Sequence, residues 1–296
     1  MPHEQLGTSA LRQVRLGGAK HCYLAKSPWL EALLFDRSLL GSSFSRLCLQ
    51  SVQAMVAHFA EELSDPSDVA ELVLLSKGIQ YRLGDAMENA LGYRPQTNFL
   101  AASRRQVAGA EVTVEIDYAS LDAPAGTIVI GDTVASGETV CTALDYYLRH
   151  HRLNRVLLVS IAGSTVGAAR IGRFCAEREI ELTIVYGLAA FGLAANGFDL
   201  SFLHPDTICE DVYKDRAAEV FEELPISAVG WDFGSQVQAI DKYRALCWVE
   251  ARYWGLEKSE LFSVAKQPTL RHQIEREHAA YQEKFPDISA LLADST

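Results

Sequence analysis

Several things are missing from this chain, and each absence removes a class of function. Its six cysteines, at positions 22, 48, 141, 175, 209 and 247, include no CxxC pair, so neither a zinc knuckle nor a disulfide framework is indicated. They read as reduced core residues of a cytoplasmic protein. No apolar run reaches membrane-spanning length, no signal peptide opens the sequence, and no repeat or low-complexity segment interrupts it. Positive charge is also in short supply: 27 Lys and Arg against 38 Asp and Glu give a formal net charge of -11. That balance argues against non-specific nucleic-acid binding and against docking on an acidic membrane, and leaves small molecules as the expected partners. His272 and His278 stand six apart, a spacing that a helix does not bring to one face, so no metal site is read there.

What is present is a core. With 296 residues, 49% of them hydrophobic, the chain can bury a large interior as one domain with additions. The most informative stretch is Thr127 to Tyr147. Thr127, Ile128, Val129 and Ile130 form an apolar run without alternation, as expected of a strand covered on both faces. Gly131 to Thr139 then supplies glycines, hydroxyls and acids, after which Val140, Ala143, Leu144, Tyr147 and Leu148 recur at helical spacing. A helix therefore opens near Gly137 to Thr139. Its first amides lack intrahelical acceptors and carry the positive end of the dipole, so an anion there would meet backbone donors and the hydroxyls of Thr133, Ser136 and Thr139. The same residues also fit a plain strand-to-helix turn capped by Ser136 or Thr139.

Further units follow the same grammar. Val69 to Leu75 reads as a strand interrupted only by Glu71, followed by Ser76-Lys77-Gly78 and a helix through Leu83, Ala86, Met87 and Ala90. Gln96 to Ala102 is the next expected strand, leading to the basic loop Ser103 to Gly109. Val112, Val114 and Ile116 alternate like an edge strand. Val156 to Ile161, Thr165 to Ala176 and Leu182 to Tyr186 continue as strand, helix and strand. This order predicts an α/β fold, a mostly parallel, Rossmann-like sheet flanked by helices, with ligands collected at the carboxyl ends of the strands.

The apolar strand followed by an acid and Thr-Val-Ala-Ser-Gly-Glu-Thr resembles the phosphoribosyl diphosphate (PRPP) signature of type I phosphoribosyltransferases. That signature reads four apolar residues, two acids, two apolar residues and Thr-Thr-Gly-Gly-Thr. Gly137 and Thr139 match, Ser136 matches conservatively, and Asp132 falls on the second acid. Gly131 replaces the first acid, as in the uracil-type branch, and Glu138 replaces the second glycine. The resemblance spans roughly residues 69 to 210.

It implies a PRPP-dependent transferase that moves the 5-phosphoribosyl group to a nucleobase-like or other nitrogen acceptor, releasing diphosphate. The 5-phosphate would rest on Thr133, Ala135, Ser136, Gly137, Glu138 and Thr139, and the ribose near Asp132. Diphosphate would lie along Ser76, Lys77, Gly78, Arg104 and Arg105, with Asp132, Lys77 and Arg105 as the catalytic set. Phe191, Asn196, Asp199 and Asp206 are candidates for the acceptor pocket. Mg2+ would be held mainly by substrate, with Asp132 as a further contact. A homodimer is expected, and the apolar stripe Ile240, Tyr243, Cys247, Ala251 and Trp254 would bury against the main domain or a second subunit, packing being the default.

The implied division is an arm and helices over 1–66, the α/β core over 67–211, and a helical region over 212–296. Two rivals stay open. One is a noncatalytic PRPP or nucleotide sensor on the same fold, and the other is an unrelated α/β enzyme acting on another sugar phosphate.

Overall fold

A computed structural model of the chain describes residues 9–17, 19–36, 39, 41–75, 78–105, 113–193 and 200–220. The dimer stripe at 240–254 therefore lies outside the described residues. Eleven strands and seven helices alternate through the described residues. The main sheet contains β1 (Ala10–Leu16), β2 (Ala19–Lys26), β3 (Val69–Leu74), β4 (Gln96–Arg105), β5 (Thr113–Ser120), β6 (Thr127–Gly131), β7 (Arg155–Ser160) and β9 (Glu181–Gly187). A second, three-stranded sheet is made of β8 (Gly163–Ser164), β10 (Ala190–Leu193) and β11 (Leu200–Ser201). The helices are α1 (Pro28–Phe35), α2 (Gly41–Val56), α3 (Gly78–Tyr81), α4 (Leu83–Leu91), α5 (Glu138–Leu148), α6 (Thr165–Ala176) and α7 (Asp211–Val220).

The eight main strands run in the order β1-β2-β9-β7-β6-β3-β4-β5. The six inner strands are parallel, and the two edge strands pair antiparallel to β2 and β4. The fold is thus α/β, with a mostly parallel sheet between two helical layers. On one face α1, α2 and α4 bury Leu30, Met55 and Met87 against Val129, Leu157 and Val185. On the other, α5 and α6 bury Leu144, Tyr147 and Ile171 against Ile128, Ile130 and Leu158. Consecutive residues of β6 serve opposite layers, which is why its sequence shows no alternation.

The described residues of the segment expected as an arm and helices over 1–66 pack into this core. β1 and β2 form a hairpin, and β2 joins the sheet by pairing with β9 from His21↔Thr183 to Ala25↔Gly187. Helix α2 ends at Val56 and the chain tightens into a 3-10 turn, Ala57–Phe59.

Strand order fixes where a ligand can lie. From β3 the chain moves outward to β4 and β5, then returns to the other side of β3 and builds β6, β7 and β9 in the opposite direction. The connections leaving β3 and β6 therefore diverge, and a crevice opens outside their carboxyl ends. Ser76 to Gly78 and Asp132 to Gly137 are those connections.

Candidate functional site

The loop after β6 is held by backbone bonds to its neighbour. Asp132 N donates to Val159 O at 3.2 Å, Val134 N to Ala162 O at 3.1 Å, and Ser164 N to Val134 O at 2.8 Å. Ser164 Oγ donates to Ala135 O. Gly167 lets α6 approach, because a Cβ there would meet Val134 Cγ1 at 2.4 Å and Ala135 O at 2.6 Å. Gly137 then turns the chain into α5 with φ of 77°, a left-handed conformation that favours glycine, and it makes no side-chain cap bond to the helix. The α5 amino terminus therefore stands at the crevice with a cap residue that brings no side chain of its own.

Side chains of the loop fall into place around that terminus. Asp132 is 7% exposed at the strand end, while Thr133, Ala135, Ser136 and Thr139 are half-buried. Glu138, whose negative charge conflicts with a bound phosphate, has an ion-pair partner in α6: Arg170 Nη1 lies 3.8 Å from Glu138 Oε2. Gly131 has a spatial reason. A Cβ at that position would meet Tyr81 Cβ at 2.8 Å, so the space an acid would need is filled by the Tyr81 ring. Sequence reasoning missed Tyr81, since nothing in the short run Ile79 to Arg82 marks the tyrosine as the inward residue.

The other expected residues are placed less completely. Gly78 opens α3 close to the end of β6, and a Cβ there would lie 3.1 Å from Gly131 O. Ser76 and Lys77 lie outside the described residues, as do Asn196 and Asp199. The strand expected to stop at Ala102 runs on to Arg105, and the basic segment begins as a hairpin, with Arg104↔Val114 and Arg105↔Thr113 in register. The Arg104 and Arg105 side chains, and residues 106–112, are outside the description.

Phe191, expected to line the acceptor pocket, is fully buried and packs edge-on against Phe202 at 4.9 Å between ring centroids. It is a core residue here and offers no surface to an acceptor. Asp206 is well exposed on the turn beyond β11, 4.0 Å from His204 Nδ1, and its backbone N donates to the same nitrogen at 3.2 Å. His204 in turn needs Gly192, where a Cβ would overlap its ring. His204 is thus tied into packing.

No group of three or more His, Cys, Asp or Glu able to hold a metal occurs among the described residues. Among the described residues Asp132 offers a buried carboxylate at the strand end, which would fit a Mg2+ carried largely by the oxygens of its ligand rather than by a protein cage. Burial pushes the thiols of Cys22, Cys48 and Cys175 up to about 12 and those of Cys141 and Cys209 up to about 11, so these cysteines are poor nucleophiles. A cavity of 490 Å³ lies at the opposite, amino ends of the strands, lined by Glu61, Glu62, Asp65, Asp68 and Arg155 among others. Its acidic wall suits no phosphate. No described helix is long and apolar enough to cross a membrane.

No known protein family and no curated protein matches the sequence. Among solved structures, the AQ2163 protein of Aquifex aeolicus aligns at a TM-score of 0.44 and 16% identity, over 60% of this chain and 91% of that one. Adenine phosphoribosyltransferase of Trypanosoma brucei, solved with AMP, pyrophosphate and ribose-5-phosphate, aligns at 0.37 and 13%, over 70% and 98%. Orotate phosphoribosyltransferase of Aeropyrum pernix aligns at 0.30 and 16%, over 48% and 76%. None of these scores is high enough to carry an argument, so fold and site rest on this chain's own topology and geometry.

Proposed function

We propose that the protein is a PRPP-dependent phosphoribosyltransferase acting on a nucleobase-like or other nitrogen acceptor. The observation that carries this reading is the α5 amino terminus: it has no side-chain cap, opens where the strand order reverses, and stands beside the buried Asp132. The 5-phosphate is held by the α5 amides and by the hydroxyls of Thr133, Ser136 and Thr139. Asp132 accepts from the ribose hydroxyls. Diphosphate lies along Ser76, Lys77 and Gly78, where cationic and backbone donors neutralise the charge that grows as the C1–O bond breaks. The acceptor nitrogen forms its bond to C1 and loses its proton to solvent. Mg2+ would be held mainly by the substrate, with Asp132 as a further contact, and would supply further charge neutralisation to the leaving group. Rate enhancement comes from positioning and electrostatics, with no covalent intermediate on the protein.

A noncatalytic PRPP sensor is the second reading, and a specific observation favours it. The Tyr81 ring fills the space an acid at position 131 would occupy, leaving one carboxylate at the ribose. Diphosphate release from magnesium-complexed PRPP, followed over a panel of nucleobases and other amines, separates the two. Acceptor-dependent release supports the transferase. Binding without release from any acceptor leaves the sensor, and no binding removes both.

A further inference from the structure

The proposed reaction gives no role to Tyr81, yet that side chain touches every connection around the crevice. It is fully buried at the end of α3, the single helical turn that follows β3. Its ring lies against Gly131, the last residue of β6. Its hydroxyl is 3.1 Å from Thr133 Oγ1, in the loop after β6, and accepts from Ile161 N at 3.1 Å, in the turn after β7. Gly131 itself has no positive φ, so glycine is required there by the Tyr81 ring rather than by the backbone. Burial, with the nearby Asp132 charge adding to it, pushes the Tyr81 phenol far above its ordinary value and keeps it a neutral hydroxyl that both accepts and donates.

We propose that Tyr81 is a positioning residue: it locks the turns after β3, β6 and β7 into one rigid edge and fixes the Thr133 hydroxyl before any ligand arrives. A loop of small residues such as Asp132 to Gly137 otherwise loses much conformational freedom when it closes on a phosphate, and ordering it beforehand lowers that cost of binding. The role toward PRPP rests on the function proposed above. The locking does not, because it is a property of the protein without ligand.

Tyr81→Phe keeps the ring and removes the hydroxyl. Tyr147→Phe is the matched control: Tyr147 is also fully buried, and its hydroxyl bonds the backbone N and O of Ala125 at 3.0 and 3.1 Å, before β6 at the amino end of the sheet. Both full-length variants are compared with wild type by urea unfolding, by amide hydrogen exchange without ligand, and by calorimetric titration with PRPP and Mg2+. Both lose some global stability. Only Tyr81→Phe speeds exchange at Ile161 and across Asp132 to Thr139, by about tenfold, and weakens PRPP by about tenfold, the scale of one lost hydrogen bond. Adding Thr133→Val to Tyr81→Phe speeds exchange across Asp132 to Thr139 little further, since the shared contact is already gone.

Equal exchange across Asp132 to Thr139 in the two tyrosine variants overturns the proposal, as does an equal loss of affinity. If wild type binds no PRPP, the functional reading fails while the exchange comparison still decides the role of Tyr81. If Tyr81→Phe does not fold, Thr133→Val removes the same contact from the other side, and unchanged exchange at Asp132 to Thr139 in that variant overturns the proposal equally.

Discussion

Three helices of the main layers, α4, α5 and α6, start with the same problem: their first amides need acceptors. They solve it differently. At α6, the buried Ser164 side chain accepts from Gly167 N at 2.7 Å. At α4, the Gly84 amide is directed to the carboxylate of Glu71, a strand residue 6% exposed. At α5, Gly137 makes no side-chain cap bond, and Glu138, the acid of the first turn, is paired to Arg170. Two helix starts thus carry their acceptor within the chain, one a hydroxyl and one a carboxyl. At the third, the glycine cap supplies no acceptor of its own, and the function proposed above assigns that place to an external anion.

The largest expected change comes from forcing a side chain onto the α5 turn. Gly137→Val must adopt φ of 77° and bring a Cβ within 2.8 Å of Gly167 O. It is expected to lower the unfolding free energy by about 2–4 kcal/mol and to abolish phosphate binding, checked by urea unfolding and calorimetry.

Next comes the buried carboxyl at α4. Burial pushes the Glu71 carboxyl from 4.5 up to about 7, against the Gly84 amide, Arg94 and Thr97, which lower it, while the Asp85 charge also raises it. Because the folded value lies above the unfolded one, the stabilising contribution is full below the unfolded value and is lost as pH rises through about 7. Glu71→Gln keeps an acceptor for Gly84 and removes the titration. The variant should therefore match wild type near pH 5 and exceed it near pH 8, by about 2–3 kcal/mol in urea unfolding. A pH-independent difference would mean that Glu71 does not titrate as a buried acid.

Removing the hydroxyl cap at α6 is a smaller change. Ser164→Ala loses the bonds to Gly167 N and Ala135 O and should cost about 1 kcal/mol in thermal or urea unfolding. It should also loosen the loop that feeds α5. Smallest for stability is Glu138→Gln at the half-exposed pair with Arg170, expected to stay within about 0.5 kcal/mol. Affinity for phosphate ligands should nevertheless rise severalfold, because a like charge beside the anion is gone. A fall in affinity would show that Glu138 contributes to the site.

Much of this arrangement was legible in the sequence for one reason: the inner strands are covered on both faces. β3, β6, β7 and β9 announce themselves as apolar runs, and α6 occupies Thr165–Ala176, the span its periodicity predicts. The edge was harder. Arg12, Gln13 and Arg15 are exposed on β1, so that strand carries little apolar pattern, and its hairpin with β2 read as an arm. The β6–loop–α5 unit could be found because strand, loop and helix are contiguous. Tyr81 could not, because its meaning depends on Gly131 and Ile161, which only the fold brings to it. Phe191 was misplaced for a related reason: the resemblance gave it to the acceptor pocket, but the fold buries its ring against Phe202.

The central claim is that the α5 amino terminus and Asp132 receive the phosphate and ribose of one external ligand. Calorimetric titration of PRPP with Mg2+ into wild type and Asp132→Asn, with ribose 5-phosphate as a second ligand, tests it most directly. The account predicts that wild type binds both ligands, PRPP more tightly, and that both weaken in the variant. No heat of binding from wild type at millimolar PRPP would contradict it.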